Sequence, residues 1–268
     1  MCKVFSISRG GYYKWLSGIL SKRKLANQKL GETIRDIHSE NNGKYGYIRI
    51  AKQLNNTGIS CGKNRVYNIM KKLGLKYKSK KKFKVTTDSN HKLPICENII
   101  NRDFSTTDIN QKWFSDITYI HTNEGWLYLA VVIDVYSRAV IGWSMNKRMT
   151  QELVCNALNM ALWRRKFPKD VIIHSDRGSQ YCSRKYQHMI KNHKLICSMS
   201  RKGDCWDNAI AETFFHTLKI ELVYDHKYKF INEARNSIFK YIETYYNRKR
   251  LHSSIGYLAP MNYEIKSA

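Results

Sequence analysis

Between residues 112 and 145 the chain carries three segments, KWFSDITYI, WLYLAVVIDVYS and RAVIGWSM, separated only by TNEG and the Ser137-Arg138 pair. Their aromatic and β-branched side chains favour extended backbone, and the separators are turn-formers. Three consecutive strands are the reading that most limits the fold. The rest of the chain must then supply elements that cover such a sheet.

The following sequence does so by alternation. TQELVCNALNMALWRRK reads as an amphipathic helix with Thr150 as a possible cap and Glu152 in its first turn. VIIHSD is a short buried strand, SRKYQHMIKNH a helix, LICSMS a strand, and DNAIAETFFHTLKIEL and FINEARNSIFKYIETYYNRKR two further helices. The order β-β-β-α-β-α-β-α-α predicts an α/β fold: an RNase H-like mixed sheet with helices on both faces. No internal repeat is evident.

Upstream, the pattern is helical. LANQKLGETIRDIHSEN places Leu25, Leu30, Ile34 and Ile37 near helical spacing, and Tyr45–Leu54 and Asn64–Leu73 read as two more short helices, with Gly74 as a stop. Three helices carrying Arg49, Lys52, Lys63, Arg65, Lys71 and Lys72 resemble a helix-turn-helix unit; a small bundle with a solvated basic face is the competing reading. KYKSKKKFK follows, six lysines in nine residues, a self-repelling extended run suited to tracking phosphates.

Charge narrows the partner. Lys and Arg number 47 against 21 acids, a formal net charge of +26, of which residues 1–100 supply +17. Such a field favours a polyanion, and without a basic amphipathic helix the expected partner is nucleic acid rather than a membrane. No apolar run approaches the roughly 18 residues of a membrane span. Seven scattered cysteines with no Cys-x-x-Cys pair point to a reducing, cytoplasmic location rather than to zinc or secretion.

Three acids stand out. Asp176 closes a buried strand in VIIHSDRGSQY, at the C-terminal edge where open α/β sheets place their chemistry. Asp116 lies in the first strand, beside the fourth in this fold. Glu212, with 35 residues between it and Asp176, lies one turn into a helix whose Asn208, Glu212, Phe215 and Lys219 share one side, next to an apolar stripe of Ile210, Phe214 and Leu218. Clustered carboxylates repel unless cations neutralise them, and oxygen ligands suit Mg²⁺ or Mn²⁺. Two such ions about 3.5–4 Å apart activate an attacking water or 3′-hydroxyl and stabilise the leaving oxygen of a phosphodiester. Lys219 would hold a DNA phosphate, and Asn208 would orient Glu212 or touch substrate. Plainer roles stand beside these: Asp116 as a strand-edge acid, Asp176 as a turn residue, Glu212 as a helix-surface acid. His174 is expected as a packing or hydrogen-bonding imidazole, and Asp134 in VVIDVYSR as a turn residue.

The residues resemble the DDE transposases of bacterial insertion sequences, specifically the second-frame (OrfB) proteins of the "IS three" family. SRGGYYKW, NNGKYGYIRI, NRVYNIMKKLGL, WFSDITYI, YLAVVIDVYSRAVIGW, HSDRGSQY, SMSRKGDCWDNAIAETFFHTLKIE and YYNRKRLHSSIGYLAP carry the resemblance in order, along nearly the whole chain. It implies a helix-turn-helix-like DNA-binding region at 1–75, a basic linker at 76–102 and an integrase catalytic core with C-terminal helices at 103–268. It implies that Asp116, Asp176 and Glu212 are catalytic and bind the metals, and that Lys219 contacts the terminal DNA of the element. Asn208, Arg49, Arg65, Lys80, Lys81, Lys82, Arg201 and Lys202 are the further expected DNA contacts. The implied reaction is hydrolysis of one strand at an element end, then attack of the freed 3′-OH on another phosphodiester, first joining the two ends into a circle that then integrates.

The implied partners are double-stranded DNA at element ends and target, further copies of the chain on that DNA, and an upstream-frame protein or fusion supplying the leucine heptads absent before Ser8. Ile48 replaces the family's usual Arg, and Ile109 its usual Pro. A DNA-binding regulator without catalysis, or an RNase H-like nuclease, are the alternative functions.

Overall fold

The computed structural model describes residues 2–18, 20–77, 94–201 and 205–267. The chain forms two compact units, Met1–Lys78 and Ser79–Ala268.

The first unit is all helix: α1 (Arg9–Leu16), α2 (Lys22–Glu40), α3 (Tyr47–Asn56) and α4 (Lys63–Lys72). Ser21 caps α2, its hydroxyl accepting from the Lys24 amide at 3.3 Å. Leu30, Ile34, Ile37, Ile50, Leu54, Val66 and Ile69 form the buried centre, with Tyr45 beneath. Leu25, expected on the apolar stripe, lies on the surface instead, because that stripe begins one turn later. Asn55 fastens the α3–α4 turn: its amide donates to the carbonyls of Ala51 and Cys61, and its oxygen accepts from the Cys61 amide. The exposed side of α4 shows Lys63, Asn64, Arg65, Asn68, Lys71 and Lys72.

The second unit is built on a five-stranded sheet of order β3-β2-β1-β4-β5. Its strands are β1 (Lys112–Thr122), β2 (Gly125–Asp134), β3 (Val140–Asn146), β4 (Ile172–Ser175) and β5 (Ile196–Met199). The first three form an antiparallel meander, and β4 and β5 join parallel. The β1–β2 hairpin turns through Asn123 and Glu124, and Gly125 takes the φ of +119° that leaves it.

One face is covered by α5 (Gln151–Arg164) and α6 (Arg184–Asn192), with Leu153, Ala157, Leu158, Ala161 and Leu162 packed on Trp113, Ala130, Val132 and Ile173. The approach of α5 to β3 is close. A Cβ at Gly142 would press into the Ala157 carbonyl oxygen and come within 2.8 Å of the Ala161 nitrogen. The other face is covered by α7 (Ala209–Glu221) and α8 (Ile231–Lys240), where Phe214, Phe215, Leu218, Ala234 and Ile238 meet Ile120, Leu127, Leu129 and Val131.

The last long helix differs from the periodic pattern of residues 230–250. After α8 the chain widens into a π-turn, Tyr241–Tyr246, which buries Tyr241, Ile242 and Tyr246 together. Asn247 then bonds both backbone groups of Val140 on edge strand β3, at 3.0 Å each. A buried ion pair ties this region to α7. Arg250 Nε and Nη2 donate to Glu221, at 2.8–3.0 Å, and the Tyr241 hydroxyl donates to the same carboxylate at 2.8 Å. A last helix, α9 (Pro260–Ser267), docks through the Arg165–Glu264 pair.

Residues 96–102, expected to be linker, instead form a strap on the sheet unit. The Glu97 carbonyl accepts from Met199 at 3.2 Å, the Ile99 amide donates to the Ser198 hydroxyl at 3.0 Å, and Ile100 is buried. The apolar and polar partners of the strap lie about a hundred residues downstream, so local composition could not reveal it. The lysine run from residue 78 onward, with Lys80, Lys81 and Lys82, lies outside the described residues, as does Lys202.

Candidate active site

Two carboxylates come from adjacent strands. The β1–β4 ladder pairs Lys112 with Ile172, Trp113 with Ile173 and Phe114 with His174. Asp116 and Asp176 each lie two residues beyond the last pair, at the same level, where the strands part. Side chains alternate along a strand, so Phe114 and Asp116 share a face, as do His174 and Asp176. The rings of Phe114 and His174 meet at 4.9 Å on that face, which is the one α7 covers. The site is thus a notch at the C-terminal end of β4, roofed on one side by α7.

Backbone groups orient both acids. Asp116 Oδ1 accepts from the Ile117 amide at 2.7 Å, and Asp176 Oδ1 accepts from the Gly178 amide at 2.9 Å. Gly178 leaves little room: a Cβ there would sit 3.0 Å from Asp176 Oδ1 and 3.1 Å from Gln180 Oε1. The Arg177 guanidinium turns away, donating to the Ser200 carbonyl at 2.6 Å. Asp116 keeps some accessible surface yet is surrounded by protein, the situation of a group at the floor of an open notch. Burial pushes its carboxyl well above the usual range, and the negative charges of Asp176 and, more weakly, Glu212 add to this; the Ile117 amide and Lys219 oppose it.

Glu212 stands on the exposed side of α7, with burial of part of its carboxyl raising its pKa. The buried side of the helix is Ala211, Phe214, Phe215 and Leu218. Phe215, expected on the cleft side, therefore packs into the core. Lys219, four residues further, is only 7% exposed; its ammonium lies 5.2 Å from the centre of the Tyr119 ring. Burial lowers the Lys219 pKa, and Asp116 works against that shift.

The donor set is chemically right for a hard divalent cation: carboxylate oxygens whose mutual repulsion an ion would relieve. Among the described residues, no three His, Cys, Asp or Glu side chains are gathered closely enough to enclose a metal ion. Asp116 and Asp176 are the fixed pair, and Glu212 faces outward from its helix.

Several supports escaped sequence reasoning. Tyr181 is buried next to both acids, its hydroxyl 3.0 Å from that of Ser115, and burial and the two carboxylates push its phenol far up. Asp207, fully buried, accepts from the Arg201 amide and guanidinium, from Arg102 Nε and from Asn98 Nδ2. It ties the strap, the end of β5 and the start of α7 into one knot, five residues before Glu212. The Asp in Trp206-Asp207-Asn208 was visible as an acid near a helix start, but its partners were not.

Other expected residues have plain placements. Arg201 is half-exposed while paired with Asp207. Asn208 is 4% exposed, does not cap α7 through its side chain, and leaves its buried Oδ1 without a hydrogen-bond partner. His174 is fully buried between the Ser198 and Ser200 hydroxyls at 2.9 and 3.0 Å, and burial lowers its pKa to about 4. Asp134 is a turn residue, accepting from the Asn110 and Tyr136 amides at 2.9 and 3.0 Å. In the helical unit, the Arg49 guanidinium lies 5.5 Å from the Tyr45 ring centre and Arg65 Nε donates to Asn27 at 2.9 Å.

Comparison with known proteins accounts for both units. Residues 107–205 match an integrase core domain, 193–260 match a second integrase core domain description, and 24–83 match an HTH-like domain. Transposase InsF for insertion sequence IS3A of Escherichia coli K12 is 44% identical over 269 residues, covering 100% of this chain and 93% of that protein. An uncharacterized 31 kDa protein of insertion element IS600 from Shigella sonnei is 43% identical over 266 residues, covering 99% and 98%. Among solved structures, the simian T-cell lymphotropic virus intasome bound to PP2A regulatory subunit B56 gamma is similar at 16% identity and a TM-score of 0.49, over 86% of this chain and 74% of that one. The HTLV-2 integrase catalytic core domain in complex with magnesium is similar at 18% identity and a TM-score of 0.46, over 59% and 97%. With its helical unit, its mixed sheet and 44% identity along its whole length, the chain belongs to the IS3 family of insertion-sequence transposases, DDE enzymes with an integrase catalytic core.

Proposed function

We propose that this transposase cuts one DNA strand at each end of its element and transfers the freed 3′-OH to a second phosphodiester, with Asp116, Asp176 and Glu212 as the catalytic carboxylates. The observation that carries the reading is the level placement of Asp116 and Asp176 on neighbouring parallel strands, with the charge of Glu212 reaching Asp116. The three acids would hold Mg²⁺ or Mn²⁺, two ions by the chemistry of the donor set. Bound there, such ions activate the attacking oxygen and stabilise the leaving one. Glu212 would be the third ligand, its place on the exposed side of α7 leaving its carboxylate open to DNA and metal. Lys219 offsets the carboxylate charge from beside Asp116 and contacts the terminal phosphate of the element.

Residues 1–75 form the DNA-binding region in this reading, with Arg49, Arg65 and the basic surface of α4 on phosphates, and the lysines of 76–84 extend that track. Arg201 and Lys202 are further DNA contacts in this reading. Two element ends are joined by more than one copy of the chain.

The test is strand joining. Labelled element-end DNA, incubated with the protein and Mg²⁺ or Mn²⁺, is expected to yield nicked and joined products. Asp176→Asn is expected to lower joining by about 10³-fold, the scale on which loss of a preorganised charge-stabilising group acts, while gel retardation of the same DNA persists. Joining by the Asn variant at the wild-type rate would refute the assignment.

A further inference from the structure

Two cysteines outside the catalytic notch share one partner. Cys96 begins the strap, and Cys197 lies in the middle of β5. Gln187 of α6 contacts both. Its amide is fixed by the Tyr181 carbonyl at 2.8 Å, and it reaches both sulfurs: Cys96 Sγ is 3.6 Å from Oε1, and Cys197 Sγ is 3.5 Å from Nε2. Each thiol also acts on the ionisation of the other. The backbones run alongside, with the Glu97 carbonyl accepting from Met199. Both side chains pack against the α5–α6 face of the sheet but keep partial access to solvent, unlike Cys61, Cys155 and Cys182, which are buried.

We propose that Cys96 and Cys197 form a reversible thiol–disulfide site, oxidised by a low-molecular-weight disulfide, that staples the strap to strand β5. Neighbouring sulfurs on adjacent backbone segments are the arrangement a disulfide needs. The two thiols are not equivalent. The neighbouring Cys197 lowers the Cys96 pKa to about 7, while Cys96 and burial push Cys197 up. Cys96 is therefore the attacking thiolate, since reactivity follows thiolate character and access.

The steps balance. Cys96 sulfur attacks one sulfur of the small disulfide; that S–S bond breaks, a mixed disulfide forms, and the first small thiol leaves. Cys197 then attacks the Cys96 sulfur, giving up its proton to the departing second small thiol. Two protein thiols are oxidised to one disulfide, and one small disulfide is reduced to two thiols. In a reducing compartment such a bond is transient and reports oxidant. The consequence is local. Asn98 and Arg102, on the stapled strap, are two of the donors to Asp207, so the staple tightens the mount from which α7 and Glu212 project.

The experiment uses the full chain and glutathione disulfide at neutral pH, with peptide mapping under non-reducing conditions. One cross-linked peptide joining residues 96 and 197 is expected, lost again with dithiothreitol. In Cys197→Ser, glutathione is expected to accumulate on Cys96; in Cys155→Ser, the 96–197 link forms as in wild type. Pairing of either thiol with another cysteine in the folded protein, or thiols at 96 and 197 that stay unreacted, would overturn the proposal. Absence of glutathione from Cys96 in the Cys197→Ser protein would do the same. Wild-type mapping needs no variant to fold, and none of these readouts depends on the strand-transfer assignment.

Discussion

Asp116 and Asp176 occupy the same level of two adjacent parallel strands, each two residues past the last paired position. The backbone hydrogen bonds stop just before the carboxylates, which opens the notch at their feet. The same geometry crowds two negative charges, and the resulting repulsion is relieved only by a cation or a proton. Four expectations beyond strand joining concern the buried groups, the packing and the cationic surface of the protein.

His174 makes stability depend on pH. Its imidazole is held neutral by burial between two serine hydroxyls, with a folded pKa near 4 against 6.5 for the free side chain. A base with a lowered folded pKa binds fewer protons folded than unfolded. Stability is therefore complete above about pH 6.5 and falls as the pH drops towards 4, by up to about 3 kcal/mol. Denaturant melts of wild type and His174→Gln across this range check it: the variant is expected to lose the His174 component of the slope.

The Arg250 guanidinium pairs with the buried carboxylate of Glu221. Arg250→Met takes this guanidinium away from a buried carboxylate, and is expected to cost about 3–5 kcal/mol in urea unfolding. Adding Glu221→Met removes the stranded charge and is expected to recover much of the loss. A double variant no more stable than the single one would show that the pair is not a closed unit.

Gly142 sets how closely α5 approaches β3. Gly142→Ala puts a methyl group against helix backbone, which cannot rotate aside, and is expected to destabilise the sheet unit by about 1–3 kcal/mol. Gly62→Ala, where a Cβ meets nothing within 4 Å, is the matched control. Thermal melts of the two variants give the comparison.

Binding of element-end DNA is expected to weaken steeply with salt, because lysines and arginines displace counterions from phosphates. Alanine at Arg49 or Arg65 is expected to lower the log–log salt slope by about 1 each if the residue touches a phosphate. Titrations by fluorescence anisotropy at several salt concentrations measure this. A flat salt response would contradict the phosphate-tracking role of the cationic front half.

Local pattern carried the elements. The aromatic and β-branched runs became β1, β2 and β3, and the apolar spacing of 25–41, 45–54 and 64–73 became α2, α3 and α4 with ends moved by up to about three residues, as helix termini usually are. Asp176 could be singled out because the end of β4 is marked by the change from apolar to turn residues, and Asp116 because the first strand of such a sheet lies beside the fourth. The orientation of Lys219 and Phe215 could not be read this way. Helical periodicity gives the angle of each residue around α7, but which angle meets the sheet is set by how the helix is rotated against β1 and β2. Its start is set in turn by the knot at Asp207, whose donors lie at positions 98, 102 and 201.

The sequence by itself determined the order of strands and helices, the cationic character of the chain and the acids available for phosphodiester chemistry, since these depend on neighbours within one or two turns. The tertiary structure alone decided that residues 96–102 belong to the sheet unit, that Lys219 and Asn208 are buried, that Arg201 serves Asp207, and that Glu221 is neutralised by Arg250. Each of these is a pairing across many intervening residues. Its free energy exists only once packing has removed water from both partners, and no local pattern records it in advance.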